Sequence, residues 1–121
     1  MSELDQTLAA LADPTRRRVI DLLRDGPLRA GELSAALEMS APAMSRHLRV
    51  LRRSGLVVEE HPVEDARVRL YRLQRAPFDG LRDWVEEVEA FWDGELAAFK
   101  AHAETTRGRK KKKKKKEVER S

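Results

Sequence analysis

Glu38-Met39-Ser40 leaves a three-residue connection between two helical patterns, and this tight joint constrains the fold more than any other feature of the chain. The first pattern, about residues 30–37, presents Leu33, Ala36 and Leu37 on one side. The second starts at Ser40, a residue type whose side chain caps open backbone N–H groups. Pro42 follows in the first turn, where its missing N–H costs nothing. This helix runs to Ser54, and Gly55 is a natural C-terminal stop. At about 100° per residue, Met44, Leu48 and Leu51 cluster within about 60°. That face packs the second helix onto the first.

The flanking segments complete a recognisable order. Leu4, Leu8 and Leu11 fall at helical spacing within a short helix over 4–12. Asp13-Pro14 combines a capping carboxylate with a proline suited to the first helical position, and predicts a helix over 14–24. It buries Val19, Ile20 and Leu23, and ends at Asp25-Gly26-Pro27. Beyond Gly55, Leu56-Val57-Val58 and Arg67 to Leu73 read as two strands joined across Glu60–Ala66. Val68 and Leu70 alternate with Arg67, Arg69 and Tyr71, as in a hairpin wet on one side. A long helix from Pro77 to about Ala103 closes the pattern. The expectation is a mainly α fold with a small β-hairpin (α+β), a winged helix–turn–helix over 1–104, followed by a disordered polybasic tail over 105–121.

The 121 residues suffice for one domain, and 40% apolar content for one modest core. With no cysteine, disulfides, thiol redox switches and thiolate metal sites are excluded. No apolar run reaches the ~20 residues of a membrane span. The start, MSELDQTLAALAD, has acids where a signal peptide has bases, so the expected location is the cytoplasm. There is no P-loop, Gly-x-Ser-x-Gly elbow or His-Glu-x-x-His, and no enzyme is expected.

The formal net charge of +4 conceals an uneven distribution. Residues 105–121 carry ten Lys/Arg against Glu117 and Glu119, whereas residues 1–104 carry fifteen bases against nineteen acids. The useful question is where the folded part puts its bases. On the wheel, Pro42, Ser45, Arg46, Arg49 and Arg53 lie opposite the apolar face of helix 41–54, with Ala43 and Arg52 on the flanks. Small residues at the N-terminal end let the backbone approach base edges, and arginine can bond two atoms of a guanine or neutralise phosphate. Between Ser40 and Arg75 eight arginines face four acids; between Pro77 and Glu104, Arg82 and Lys100 face eight. An acidic body with a basic reading face repels DNA except where it docks. The plainer account, arginines forming an ordinary solvated helix face, explains neither the small residues nor the basic hairpin that follows.

Two strings carry a family resemblance: Ala12-Asp13-Pro14-Thr15-Arg16-Arg17, and Ser45-Arg46-His47-Leu48-Arg49-Val50-Leu51-Arg52-Arg53-Ser54-Gly55-Leu56-Val57. They resemble the ArsR/SmtB family of bacterial transcriptional repressors, over about Leu4 to Ala103. The resemblance implies a homodimeric winged-helix DNA binder that normally represses transcription, often of its own operon. The expected DNA-binding residues are Ser40, Pro42, Ala43, Ser45, Arg46, Arg49, Arg52 and Arg53, with Arg67 and Arg69 on the hairpin. Ser45, Arg46 and Ala43 are expected at bases. The family's metal chemistry does not carry over. Its thiolate motif falls near Arg29 and Gly31, Asp83-Trp84-Val85 lacks the histidine of the C-terminal site, and His102 has no partner of that pattern. No metal or cofactor is expected, which places the chain in the non-metal branch, with any small-molecule inducer unknown. His47, about 60° from the buried face, suits edge packing with a hydrogen bond better than a base contact. His61, near the hairpin tip, could meet phosphate or face water.

Leu81, Trp84, Val85, Val88, Phe91, Trp92, Leu96 and Phe99 share an arc of about 140° along about 27 Å of helix. Such a stripe could cover its own core, but both tryptophans and two of three phenylalanines exceed what a small core needs. With Leu4, Leu8 and Leu11 it is expected to form a two-fold homodimer interface. Two reading helices about 34 Å apart then span a palindromic operator. Lys110 to Lys116 could be a solvated terminus, a counterion-releasing arm, or a segment adhering to lipid or RNA. The competing functional class is an interaction module for protein, RNA or membrane, with a merely structural helix–turn–helix and a polyanion-binding lysine tail.

Overall fold

The computed structural model describes residues 2–106; the polybasic segment lies outside the described residues but for its first two, which continue the last helix. The element order is α1 (Glu3–Leu11), α2 (Pro14–Leu23), β1 (Leu28–Arg29), α3 (Ala30–Leu37), α4 (Ala41–Arg53), β2 (Val57–Glu60), β3 (Leu70–Leu73) and α5 (Arg75–Thr106). Residues up to Arg82 form one compact unit, and those from Asp83 a second.

Local chemistry explains the boundaries. Ser2 caps α1 by accepting from the Asp5 N–H at 3.1 Å, while the Asp5 carboxylate accepts from the Ser2 N–H. Asp13 caps α2, accepting from the N–H groups of Thr15 (2.7 Å) and Arg16 (3.1 Å), with Pro14 in the first helical position. These hydrogen bonds, that of Arg16 foremost, hold the Asp13 carboxyl below the usual range despite partial burial. Ser40 caps α4 as its sequence position implies. Gly55 takes φ +77° after α4, and the Leu56 N–H donates to the Leu51 carbonyl at 3.0 Å, closing the helix. The turn between α3 and α4 rests instead on Glu38, a non-glycine in the left-handed region at φ 52°.

The first unit has one core: Val19, Ile20 and Leu23 of α2, Leu33 of α3, Met44, Leu48 and Leu51 of α4, then Leu56, Val57 and Tyr71, with Ala10 of α1. Arg16 joins three of these helices. Its guanidinium donates to the carbonyls of Ala10 (2.7 Å) and Ala9 (3.3 Å) at the end of α1, and to Nδ1 of His47 on α4 (3.4 Å). Arg17 donates to the Leu11 carbonyl at 2.6 Å. Two arginines thus satisfy carbonyls that the end of α1 leaves open.

The sheet departs from the expected hairpin in three ways. A third strand is present: β1 pairs antiparallel with β3, giving the order β1-β3-β2. Two residues are too few to show an alternation, so β1 left no periodic mark. Next, β3 begins at Leu70 rather than Arg67, because residues 62–69 turn back on themselves. Asp65 accepts from the backbone N–H and the side chain of Arg67, and His61 Nδ1–H donates to the carbonyls of Ala66 (2.9 Å) and Val68 (3.1 Å). Last, Tyr71 is buried, 7% exposed, and not on a wet face. Its register opposite Leu28 and Glu59 puts it on the side of Val57, where α4 packs, and burial pushes its phenol pKa up. α5 also starts earlier than expected, at Arg75, with Pro77 inside its first turn.

Candidate nucleic-acid interface

The arginines of α4 are aimed by the side chains beneath them. Met44, Leu48 and Leu51 are buried and pin one face of the helix to the core. Helical geometry then leaves Pro42, Ser45, Arg46, Arg49, Arg52 and Arg53 exposed, with Ala43 half-buried on the flank. Ser40 at the N-terminus is exposed while its hydroxyl accepts from the Ala43 N–H at 3.2 Å. The small side chains expected at the reading end therefore sit at the exposed N-terminal turn, and four arginines follow along the same helix.

These arginines differ in their surroundings. Arg46, Arg49 and Arg53 make no ion pair among the described residues. Arg52 pairs with Glu59 of β2 at 3.2 Å. Around the hairpin, every arginine has a carboxylate: Arg67 with Asp65 (3.3 Å), Arg69 with Glu59 (3.3 Å) and Arg72 with Glu60 (3.1 Å). Arg49, Arg52, Arg53, Val57, Val58, Glu59 and His61 line an open groove of about 550 Å³ where α4 meets β2. An anionic backbone laid along α4 meets cationic groups from one end of this groove to the other, with one carboxylate among them.

The histidines are structural here. His47 is half-buried and its Nδ1 accepts from Arg16, the edge packing expected of its place on the wheel. His61 closes the hairpin loop through Nδ1, while its half-exposed side chain lines the groove beside Glu59. Sequence reasoning counted Glu59 only as one of four acids, and overlooked that strand alternation from Val57 sends it inward. Arg16 was seen in a motif but not as a clamp. No group of three or more His, Asp or Glu that could hold a metal ion occurs among the described residues. No helix is long and apolar enough to cross a membrane among them.

In the second unit, α5 carries an uncovered apolar series. Phe91 is 61% and Trp92 64% exposed, their rings edge-to-face with centroids 6.0 Å apart. Trp84, Val85 and Phe99 are also exposed, and Val88 and Leu96 half-buried. In the first unit Leu8 is exposed, and Leu4, Leu11 and Leu81 are half-buried.

Known proteins share this arrangement. The family described as "Bacterial regulatory protein, arsR family" matches residues 13–58, from the α2 cap through α4 into β2. Over 95 residues the chain is 38% identical to the HTH-type transcriptional regulator Rv2034 of Mycobacterium tuberculosis, covering 78% of this chain and 83% of that protein. It is 34% identical over 58 residues to the transcriptional repressor SdpR of Bacillus subtilis, covering 48% of this chain and 63% of that one. Among solved structures, an ArsR-like transcriptional regulator from Rhodococcus sp. RHA1 superposes with a TM-score of 0.71 at 32% identity, covering 84% and 92% of the two chains.

Proposed function

We propose a mode of action for a chain that belongs to the ArsR family of bacterial regulatory proteins and is therefore a winged helix–turn–helix, DNA-binding transcriptional regulator. It acts in the cytoplasm as a homodimer that recognises a palindromic operator and represses transcription, its own included. It works by binding and performs no turnover. α4 enters the major groove from its N-terminal turn, with Ser40 and Pro42 at the DNA surface and Ala43, Ser45 and Arg46 at the bases. Arg49, Arg52 and Arg53 mix base and phosphate contacts, and Arg67 and Arg69 hold the backbone or enter the minor groove. The observation that carries this reading is that Arg46, Arg49 and Arg53 make no ion pair among the described residues, on a helix whose opposite face is buried. Three guanidinium groups left unpaired on one rigid face suit an external anion.

The exposed Trp84, Val85, Phe91, Trp92 and Phe99, with Val88 and Leu96, supply dimer contacts from the second unit; Leu4, Leu8, Leu11 and Leu81 supply them from the first. Aromatic clusters of this kind are typical of buried interface centres. An inducer, if one acts, would do so by altering the spacing of the two reading helices. The Lys110–Lys116 run adds sequence-independent affinity through counterion release, so its deletion weakens binding to every duplex alike and flattens the salt dependence.

The test is a titration of the full chain against duplex DNA from upstream of its own gene, with a scrambled duplex as control, at about 0.15 M salt. A preference of about a hundredfold, about 2.7 kcal/mol, supports sequence-specific repression. Equal binding to both, unchanged in an Arg46→Ala/Arg49→Ala variant, overturns it.

A further inference from the structure

Glu59 stands where a strand facing a core ordinarily carries an apolar residue. The alternation through Val57 turns it toward the sheet face on which Tyr71 is buried, and the two are direct partners across the strands. Its side chain is only 13% exposed. A carboxylate this far from water is costly unless it is paired. Glu59 is paired twice, by guanidinium groups from different elements: Arg52 of α4 reaches Oε2 at 3.2 Å, and Arg69, just before β3, reaches Oε1 at 3.3 Å. His61 Nε2 lies 3.9 Å from Oε1. One acid therefore ties the reading helix to the wing and occupies two cations that would otherwise be offered to phosphate.

We propose that Glu59 is a positioning residue that sets the sequence-independent part of the DNA affinity. It competes with phosphate for Arg52 and Arg69 and fixes the wing against α4, so that these two arginines grip the backbone less tightly than their charge alone would allow. Binding to any duplex comes from phosphate neutralisation, and binding to the correct one adds base contacts. A carboxylate that competes with phosphate for two arginines lowers the first term and leaves the second in place. The remaining acids of the hairpin do not fill this role: Asp65 and Glu60 each hold one arginine of the hairpin itself, at its surface, and Glu64 makes no ion pair among the described residues. The inference rests on the DNA-reading role proposed above for α4.

The full chain and its Glu59→Gln, Glu59→Asp and Arg52→Ala/Arg69→Ala variants are titrated with two duplexes at several salt concentrations. One duplex is the tightest that the wild type selects from a randomised pool; the other is its scrambled form. Glu59→Gln is expected to bind the scrambled duplex about tenfold more tightly. Its slope of log affinity against log salt is expected to steepen by about 1 to 2, since each extra phosphate contact adds about 0.9. The selected duplex gains by about the same factor, so discrimination between the two changes little. Glu59→Asp retains the charge and falls between, and introducing Glu59→Gln into the Arg52→Ala/Arg69→Ala background leaves the slope unchanged. Equal slopes for wild type and Glu59→Gln overturn the proposal, including when both affinities fall together through loss of stability. If the wild type selects no duplex at all, the reading of α4 fails instead, while the slope on scrambled DNA still decides whether Glu59 withholds Arg52 and Arg69.

Discussion

Arg46, Arg49 and Arg53 on α4 carry the same formal charge as Arg67, Arg69 and Arg72 of the hairpin, but among the described residues the first set makes no ion pair and each of the second has a carboxylate. The cause is geometric. A helix pinned by Met44, Leu48 and Leu51 turns Arg46, Arg49 and Arg53 to its outer face, and only Arg52 on its flank reaches an acid, Glu59; the hairpin instead folds its arginines back beside its own carboxylates. Positive charge in a sequence is thus not equivalent to positive charge on offer. Of the eight arginines between Ser40 and Arg75, three on α4 make no ion pair among the described residues and five sit beside a carboxylate.

The comparison breaks most visibly if the buried side of α4 is removed. Leu48→Ala is expected to cost about 2–5 kcal/mol of folding stability, followed by chemical denaturation, with DNA affinity per folded molecule little changed. Equal loss of binding at full folding would mean that the two faces of α4 are not separable. Next in size, Arg46→Ala or Arg49→Ala should each cost about 1–3 kcal/mol in specific binding and relax sequence preference. Stability should stay within about 0.5 kcal/mol of wild type, as for an exposed site without partners.

A carboxylate outside the hairpin sharpens the contrast, because Asp13 serves backbone N–H groups first and an arginine second. Asp13→Ala should cost about 1 kcal/mol of stability. Its carboxyl pKa is lowered in the folded chain from an ordinary 3.8, so the charged form is favoured by folding. The contribution is complete above the ordinary value and fades as pH falls through the folded one. Thermal unfolding followed from pH 5 to pH 2 should show this limb in the wild type and a flatter one in Asp13→Asn, which keeps the cap without the charge. The smallest effect is expected at Arg67, whose side chain is almost wholly exposed beside Asp65. Arg67→Ala should change stability by no more than about 0.5 kcal/mol. It should weaken operator and scrambled DNA by the same factor in paired titrations, a selective loss being the result that places Arg67 among the readers.

Much of the fold was written in short-range chemistry. Asp13-Pro14, Ser40 with Pro42, and Gly55 mark helix ends because capping and left-handed closure depend on a few neighbouring atoms. The division of α4 into buried Met44, Leu48, Leu51 and exposed arginines followed from a 3.6-residue period alone. Both strings that resemble the family lie within these segments, so the family was legible from the sequence.

What tertiary structure decided is where the chain doubles back on itself. The pairing of Leu28-Arg29 with β3, the inward turn of Tyr71, and the late start of β3 at Leu70 depend on register between residues up to about forty apart. The clamp of Arg16 on α1 and His47 belongs to the same class, as does the bridge from Arg52 through Glu59 to Arg69. Periodicity shows which face of an element is apolar, but carries no information about which charged side chain another element will bring within 4 Å of it. The sequence by itself therefore determined that α4 presents a basic face. Only the folded arrangement decided which of those bases meet a carboxylate among the described residues.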